Sequence, residues 1–177
     1  MQLGGVLISE SRIADAVGKL ADRVSRDYDL SRVVLVGVMD GAVCFLSDLM
    51  RAFGEPVDVT TVRMRRYDGT EGGEVTVSLL PPRDRIEGRE VLIVEDIVDT
   101  GETCAVLSER LSELGAASID VCALLDKPSR RTHDVKATYI GFEAPDVFVV
   151  GYGMDCDGVY RNLRDVCVLE GGESELN

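Results

Sequence analysis

An α/β fold with a largely parallel central sheet is predicted by three features of the sequence. Short apolar runs recur at 33–38, 91–94 and 119–125, the first of them rich in β-branched residues as a strand buried on both faces should be. The first two are each followed by apolar residues at helical spacing: Val43, Leu46, Met50 and Phe53, then Cys104, Leu107, Leu111 and Leu114. Glycine closes both helical stretches, at Gly54 and Gly115. Strands that alternate with helices imply crossover connections, and hence parallel pairing.

The elements follow in order. Ser9 is the expected N-cap of an opening helix, with Ile8 and Ile13 spaced as a hydrophobic staple and Ile13, Val17, Leu20 and Val24 on one face. The strand at 33–38 ends in the turn Met39-Asp40-Gly41. Residues 57–64 read as a further strand. The stretch 67–74 holds three glycines and almost no apolar side chain, the pattern of a mobile loop. A strand resumes at 75–80 and is stopped by Pro81-Pro82. Further apolar runs lie at 139–142, 148–150 and 166–169. In sheets of this kind ligands bind beyond the carboxyl ends of the strands, which directs attention to the loops near Met39, Glu95 and Asp126.

Composition narrows the function classes. The 177 residues suit one domain, 45% hydrophobic residues suffice for a core, and 29% charged residues argue against a disordered chain. No apolar run approaches the roughly 18 residues of a membrane span, and Met1 to Ser9 does not read as a signal peptide. A net charge of −13 makes nucleic acid a poor partner. The five cysteines are odd in number and form no C-x-x-C pair, which fits reduced thiols in a cytoplasmic protein. His133 is the only histidine, so a zinc site of the usual Cys/His kinds is not expected.

The chemistry concentrates in Val91-Leu92-Ile93-Val94-Glu95-Asp96-Ile97-Val98-Asp99-Thr100-Gly101-Glu102-Thr103. A buried strand runs into two adjacent carboxylates, a short loop, and a helix start whose unpaired N–H groups can receive an anion. Gly101 permits close backbone approach, and Thr100 and Thr103 add hydroxyl donors. No lysine is present, so this is not a Walker A loop. Carboxylates beside an anion site suggest a divalent metal and sugar hydroxyls.

This segment resembles the PRPP-binding motif of the type I phosphoribosyltransferases, and its Glu95-Asp96-Ile97-x-Asp99-Thr100-Gly101 core is closest to the hypoxanthine–guanine branch. Two later segments extend the likeness: Leu124-Leu125-Asp126-Lys127-Pro128-Ser129-Arg130-Arg131 resembles the purine-recognition loop, and the stretch from Gly141 to Asp155 the base-stacking and metal segment. The resemblance implies a mostly parallel sheet flanked by helices, a small hood and a flexible lid. It also implies transfer of a phosphoribosyl group from PRPP to hypoxanthine, and to guanine, with Mg²⁺ as cofactor. Carried over, Glu95 and Asp96 bind ribose hydroxyls and Mg²⁺, Asp99 is the acid/base group facing purine N7, and the run Thr100, Gly101, Glu102, Thr103 holds the 5′-phosphate. Lys127 reads the purine O6, Phe148 stacks on the base and the Val149 backbone meets its edge. Asp155 ligates a second Mg²⁺, Arg161 reaches pyrophosphate, and the turn at Asp40 and Gly41 approaches it. The family assembles as dimers or tetramers.

Three positions depart from the family pattern. Asp40 stands where Lys or Arg is common, the lid opens Arg66-Tyr67 instead of Ser-Tyr, and Glu102 replaces varied, often basic or neutral residues. Read singly, Lys127 is a surface lysine, Phe148 a core residue, and Asp155 with Arg161 an ordinary ion pair. Two other functions stay open: a PRPP- or nucleotide-sensing module on the same fold, and a transferase preferring xanthine.

Overall fold

Strand β2 (Val33–Met39) is apolar on both faces because both faces are covered. It lies inside a six-stranded sheet of order β4-β3-β2-β5-β6-β7. Its companions are β3 (Asp58–Arg66), β4 (Val75–Leu79), β5 (Glu90–Val98), β6 (Ser118–Asp126) and β7 (Tyr139–Glu143). All pairings are parallel except β3 with β4. The computed structural model describes residues 2–66 and 75–171, with the Arg66 side chain left out. The lid expected at 67–74, with Tyr67, lies outside the described residues.

Helices α1 (Glu10–Asp27) and α2 (Val43–Ala52) cover one face of the sheet. Helix α3 (Glu102–Glu113) covers the other. Side chains alternate accordingly: Leu35, Leu92, Val94 and Leu124 meet α1 and α2, while Val34, Val36, Val91 and Ile93 meet α3. Burial of each such side chain contributes about 1.5–3 kcal/mol. Helix α1 starts as expected, with Ser9 extended at the N-cap and Ile8 and Ile13 in one core cluster, but the Ser9 hydroxyl meets Ser11 and caps no N–H. Gly115 closes α3 at φ +90, where Gly115 N–H donates to Ser112 O and Ala116 N–H to Leu111 O. Gly54 does not do the same for α2, whose cap is the extended residue Phe53.

A second, antiparallel sheet pairs β1 (Gln2–Ile8) with β9 (Val166–Glu170), and β9 with β8 (Val149–Val150). It is the small hood of the expected fold. Strand β1 has no counterpart in the sequence reading, since its residues are mostly exposed and show no clean alternation. Its definition comes from β9, at the far end of the chain.

The two crossovers place the site. From β2, α2 leads outward to β3 on one face; from β5, α3 leads outward to β6 on the other. The connections diverge at the carboxyl ends of β2 and β5, which opens a crevice there.

Candidate active site

A cavity of about 280 Å³ occupies that crevice. Strand β5 is longer than its apolar run suggests. It continues through Val98 in register with β6, so Glu95 and Asp96 belong to the strand and not to a solvated turn. Successive strand residues face opposite ways. Glu95 falls on the α3 side, where its charge acts on the Cys104 thiol, and Asp96 on the side of the β2–α2 turn, where its carboxylate lies over Gly41. Both are buried, at 7% and 8% exposure. Burial raises both carboxyls from their ordinary values, Glu95 well above; Asp96's charge raises Glu95 further, whereas the Ile97 N–H and Arg161 pull Asp96 back. Glu95 Oε2 is buried without a hydrogen-bond partner.

Asp99 follows β5 directly and lines the cavity. Arg130 Nε donates to its Oδ1 at 2.7 Å. Helix α3 starts three residues later, with Gly101 at the N-cap in the left-handed region (φ +87), a conformation a side chain would strain. Thr103 lines the cavity. The Thr100 hydroxyl accepts the Glu102 N–H at 3.3 Å, and the Thr100 carbonyl accepts the N–H groups of Thr132 and His133, which pins this loop to the one after β6. Thr100, Gly101 and Glu102 do not themselves line the cavity.

The loop after β6 supplies Lys127, 5% exposed, whose Nζ donates to Val147 O at 2.8 Å. Burial lowers the Lys127 pKa from its ordinary value, with Asp99 and Asp146 acting in the other direction. Phe148 and Val149 line the same cavity. Arg161 donates to Gly153 O at 2.6 Å and pairs with Asp155 at 2.7 Å, and both line the cavity too. Asp155 is separate from the β5 pair: no group of three Asp, Glu, His or Cys side chains suited to a metal exists among the described residues.

Gly41 lines the cavity, but Asp40 does not. The Asp40 carboxylate pairs with Arg63 of the neighbouring strand at 2.6 Å. The β2–β3 register brings this about by setting Met39 opposite Arg63. Arg130, in the cavity and in contact with Asp99, received no role of its own from the sequence beyond its place in the segment that resembles the purine-recognition loop. Its spacing from Asp99 carries no signal, because the two meet only when β5 and β6 lie side by side.

Comparison with known proteins bears on this geometry. The phosphoribosyl transferase domain family matches residues 8–157. The chain belongs to that family. Among curated relatives, the hypoxanthine-guanine phosphoribosyltransferase of Bacillus subtilis (strain 168) is 38% identical over 166 residues, covering 93% of this chain and 92% of its own. The enzyme of that name from Staphylococcus aureus (strain Mu50) is also 38% identical, over 167 residues and 93% of both chains. Among solved structures, a Bacillus anthracis hypoxanthine-guanine phosphoribosyltransferase superposes with a TM-score of 0.87 at 34% identity, covering 95% of this chain and 99% of the other. The phosphoribosyltransferase fold, with its mixed, mostly parallel sheet between helices, is therefore the fold of this chain.

Proposed function

We propose that this phosphoribosyltransferase joins hypoxanthine, and guanine, to the ribosyl phosphate of PRPP, releasing pyrophosphate and giving IMP or GMP in purine salvage. One observation carries the reading. A single cavity collects an acid/base candidate, Asp99, a buried cation for a 6-oxo group, Lys127, and an aromatic ring for the base, Phe148. The same cavity is lined by the carboxylates Glu95 and Asp96 and the guanidinium of Arg161.

In this reading Phe148 stacks on the purine while Lys127, held at Val147 O, donates to O6. Adenine has an amino group there, itself a donor, and is disfavoured. The 5′-phosphate takes N–H groups at the start of α3 and the hydroxyl of Thr103. Purine N9 bonds to C1′ as the C1′–O bond to pyrophosphate breaks, with the bonding pair leaving on the pyrophosphate oxygen. Asp99 accepts the proton lost from N7, and Arg161 stabilises the negative charge on the leaving group. Water would compete for C1′, so the reaction requires its exclusion from the site.

The site also fits Mg²⁺. The orphaned, buried Glu95 Oε2 and the neighbouring Asp96 offer an all-oxygen donor set at the cavity. Two carboxylates with no third are what Mg²⁺ takes when substrate oxygens and water complete its shell. Glu95 and Asp96 would hold it together with the ribose hydroxyls, and Asp155 would serve a second ion. When bound, Mg²⁺ neutralises pyrophosphate and ribosyl oxygens. The five free cysteines suit a reducing, cytoplasmic setting, and assembly into a dimer or tetramer belongs to the same reading.

Nucleotide formation from PRPP and Mg²⁺ with hypoxanthine, guanine, xanthine and adenine, each alone, tests the proposal beside Asp99→Asn. Turnover with hypoxanthine or guanine that falls about 10²–10⁴-fold in the variant is the expected result. Turnover confined to xanthine would move the substrate assignment. A folded protein that binds PRPP and turns over no base would leave a sensing module on this fold.

A further inference from the structure

Arg130 sits in the short turn after β6 and reaches in two directions. Nε donates to Asp99 Oδ1 at 2.7 Å, and the terminal Nη1 meets Asp146 Oδ1 at 3.4 Å. The Arg130 side chain is 19% exposed and that of Asp99 25%, so water only partly screens the contact. Asp146 belongs to the turn before β8, two residues ahead of Phe148. Next to it, Val147 O receives Lys127. One turn therefore anchors the far wall of the cavity twice, and one of the two anchors also grips the candidate acid/base.

We infer that Arg130 is a positioning residue: it fixes the rotamer of Asp99 through Oδ1 and ties that carboxylate to the wall carrying Phe148, leaving Oδ2 to face the purine. Among the described residues Asp99 Oδ2 accepts no hydrogen bond, which is the state a proton acceptor requires before substrate arrives. A free carboxylate on a loop would sample several rotamers, only one of them directed at the base. Arg130 selects that rotamer, and because its planar fork also reaches Asp146, the acid and the stacking ring hold a constant relation. Among the described residues no hydrogen bond or ion pair joins Arg130 to the 5′-phosphate cradle at α3.

The inference rests on the functional reading above, and a double-mutant cycle separates the two. Steady-state rates with hypoxanthine and PRPP would be measured for the unsubstituted protein, Arg130→Gln, Arg130→Lys, Asp99→Asn and both double variants, with melting midpoints to confirm folding. Arg130→Gln is expected to lower kcat about ten- to a hundredfold while the KM for PRPP stays within about twofold. Arg130→Lys, which keeps the charge but can hold only one carboxylate at a time, should recover part of the loss. In the Asp99→Asn background either Arg130 substitution should cost less than about twofold, because its target is gone. An equal loss in both backgrounds would overturn the inference and make Arg130 a direct substrate ligand or a structural strut. Wild-type kcat in Arg130→Gln would overturn it outright. If Arg130→Gln fails to fold, the Arg130→Lys pair of backgrounds decides by the same comparison. No turnover by the unsubstituted protein is a different result: it removes the functional reading itself.

Discussion

The carbonyl oxygen of Gly41 lies 2.2 Å from the point where a Cβ on Gly153 would sit, so the turn after β2 and the turn after β8 touch backbone to backbone. Gly153 also has φ +101, a conformation that side chains avoid. Gly153→Ala therefore meets rigid backbone and an unfavourable dihedral together. It should cost about 1–3 kcal/mol and lower the melting midpoint by several degrees in a calorimetric scan. Gly41→Ala differs, because its Cβ would meet Asp96 Oδ2 at 2.1 Å, the end of a side chain that can turn away. That variant should melt close to the parent yet lose about tenfold or more in kcat/KM for PRPP, since Asp96 is the group displaced.

Asp40 and Arg63 form an ion pair in which both side chains are about half exposed, at 52% and 48%. Such pairs contribute about 0–1 kcal/mol, so Asp40→Ala should hardly alter the melting midpoint. It would instead release a guanidinium beside the turn that Gly41 shares with the cavity. The KM for PRPP should fall and become more sensitive to added salt. A rise in KM, measured at two ionic strengths, would show that Asp40 itself assists binding.

Alkaline stability should be governed by tyrosines. Tyr28 donates to Asp120, Tyr139 to Asp27 and Tyr152 to Asp48, and burial followed by these carboxylates raises all three phenols above their ordinary value of 10.0. The folded state thus keeps protons that the unfolded chain releases above about pH 10. Stability is full below that pH and declines as pH climbs toward the raised values. Each tyrosine adds about 1.4 kcal/mol per pH unit to the slope, and Cys122, pushed up to about 12, adds to it from pH 9.0. Denaturant melts of Tyr28→Phe, Tyr139→Phe and Tyr152→Phe at pH 9 and 11 should each show a shallower loss than the parent.

Metal dependence should be conditional on substrate. With no group of three metal-suited donors among the described residues, Mg²⁺ alone should shift the melting midpoint little. Mg²⁺ with PRPP should raise it by several degrees, and a chelator should remove that gain. In Glu95→Gln the joint shift should shrink, while the variant without ligands should be more stable than the parent at neutral pH. Burial opposes the Glu95 charge, so this advantage should vanish on acidification below about pH 4, where the parent carboxyl is protonated in both states.

The sheet and helices were legible because their signals are local. Val33–Met39 and Val91 to Val94 are apolar on both faces, and Gly115 marks the end of α3. Where the signal was tertiary, the sequence was silent. Strand β1 depends on β9, and the pairing of Asp40 with Arg63 follows from a strand register. The contact of Arg130 with Asp99 joins residues 31 positions apart. Glu95 and Asp96 look like a solvated turn when read alone, because carboxylates normally end a buried strand. Here the strand continues through them, and their burial is legible only from the pairing of Ile97 with Leu125 and Val98 with Asp126.

The pairing of Gln2 with Glu170 sets a timetable for synthesis. Strand β1 leaves the ribosome well before β9 and has no strand partner until β9 follows, roughly ten to thirty seconds later at ordinary elongation rates. During that interval Leu3 and Val6, exposed even in the finished fold, are open to any passing chaperone. Strand β8, which carries Val149 beside Phe148, waits for the same partner. The sugar-phosphate half of the cavity can thus be shaped while the nascent chain is still growing, and the half that receives the base is completed last.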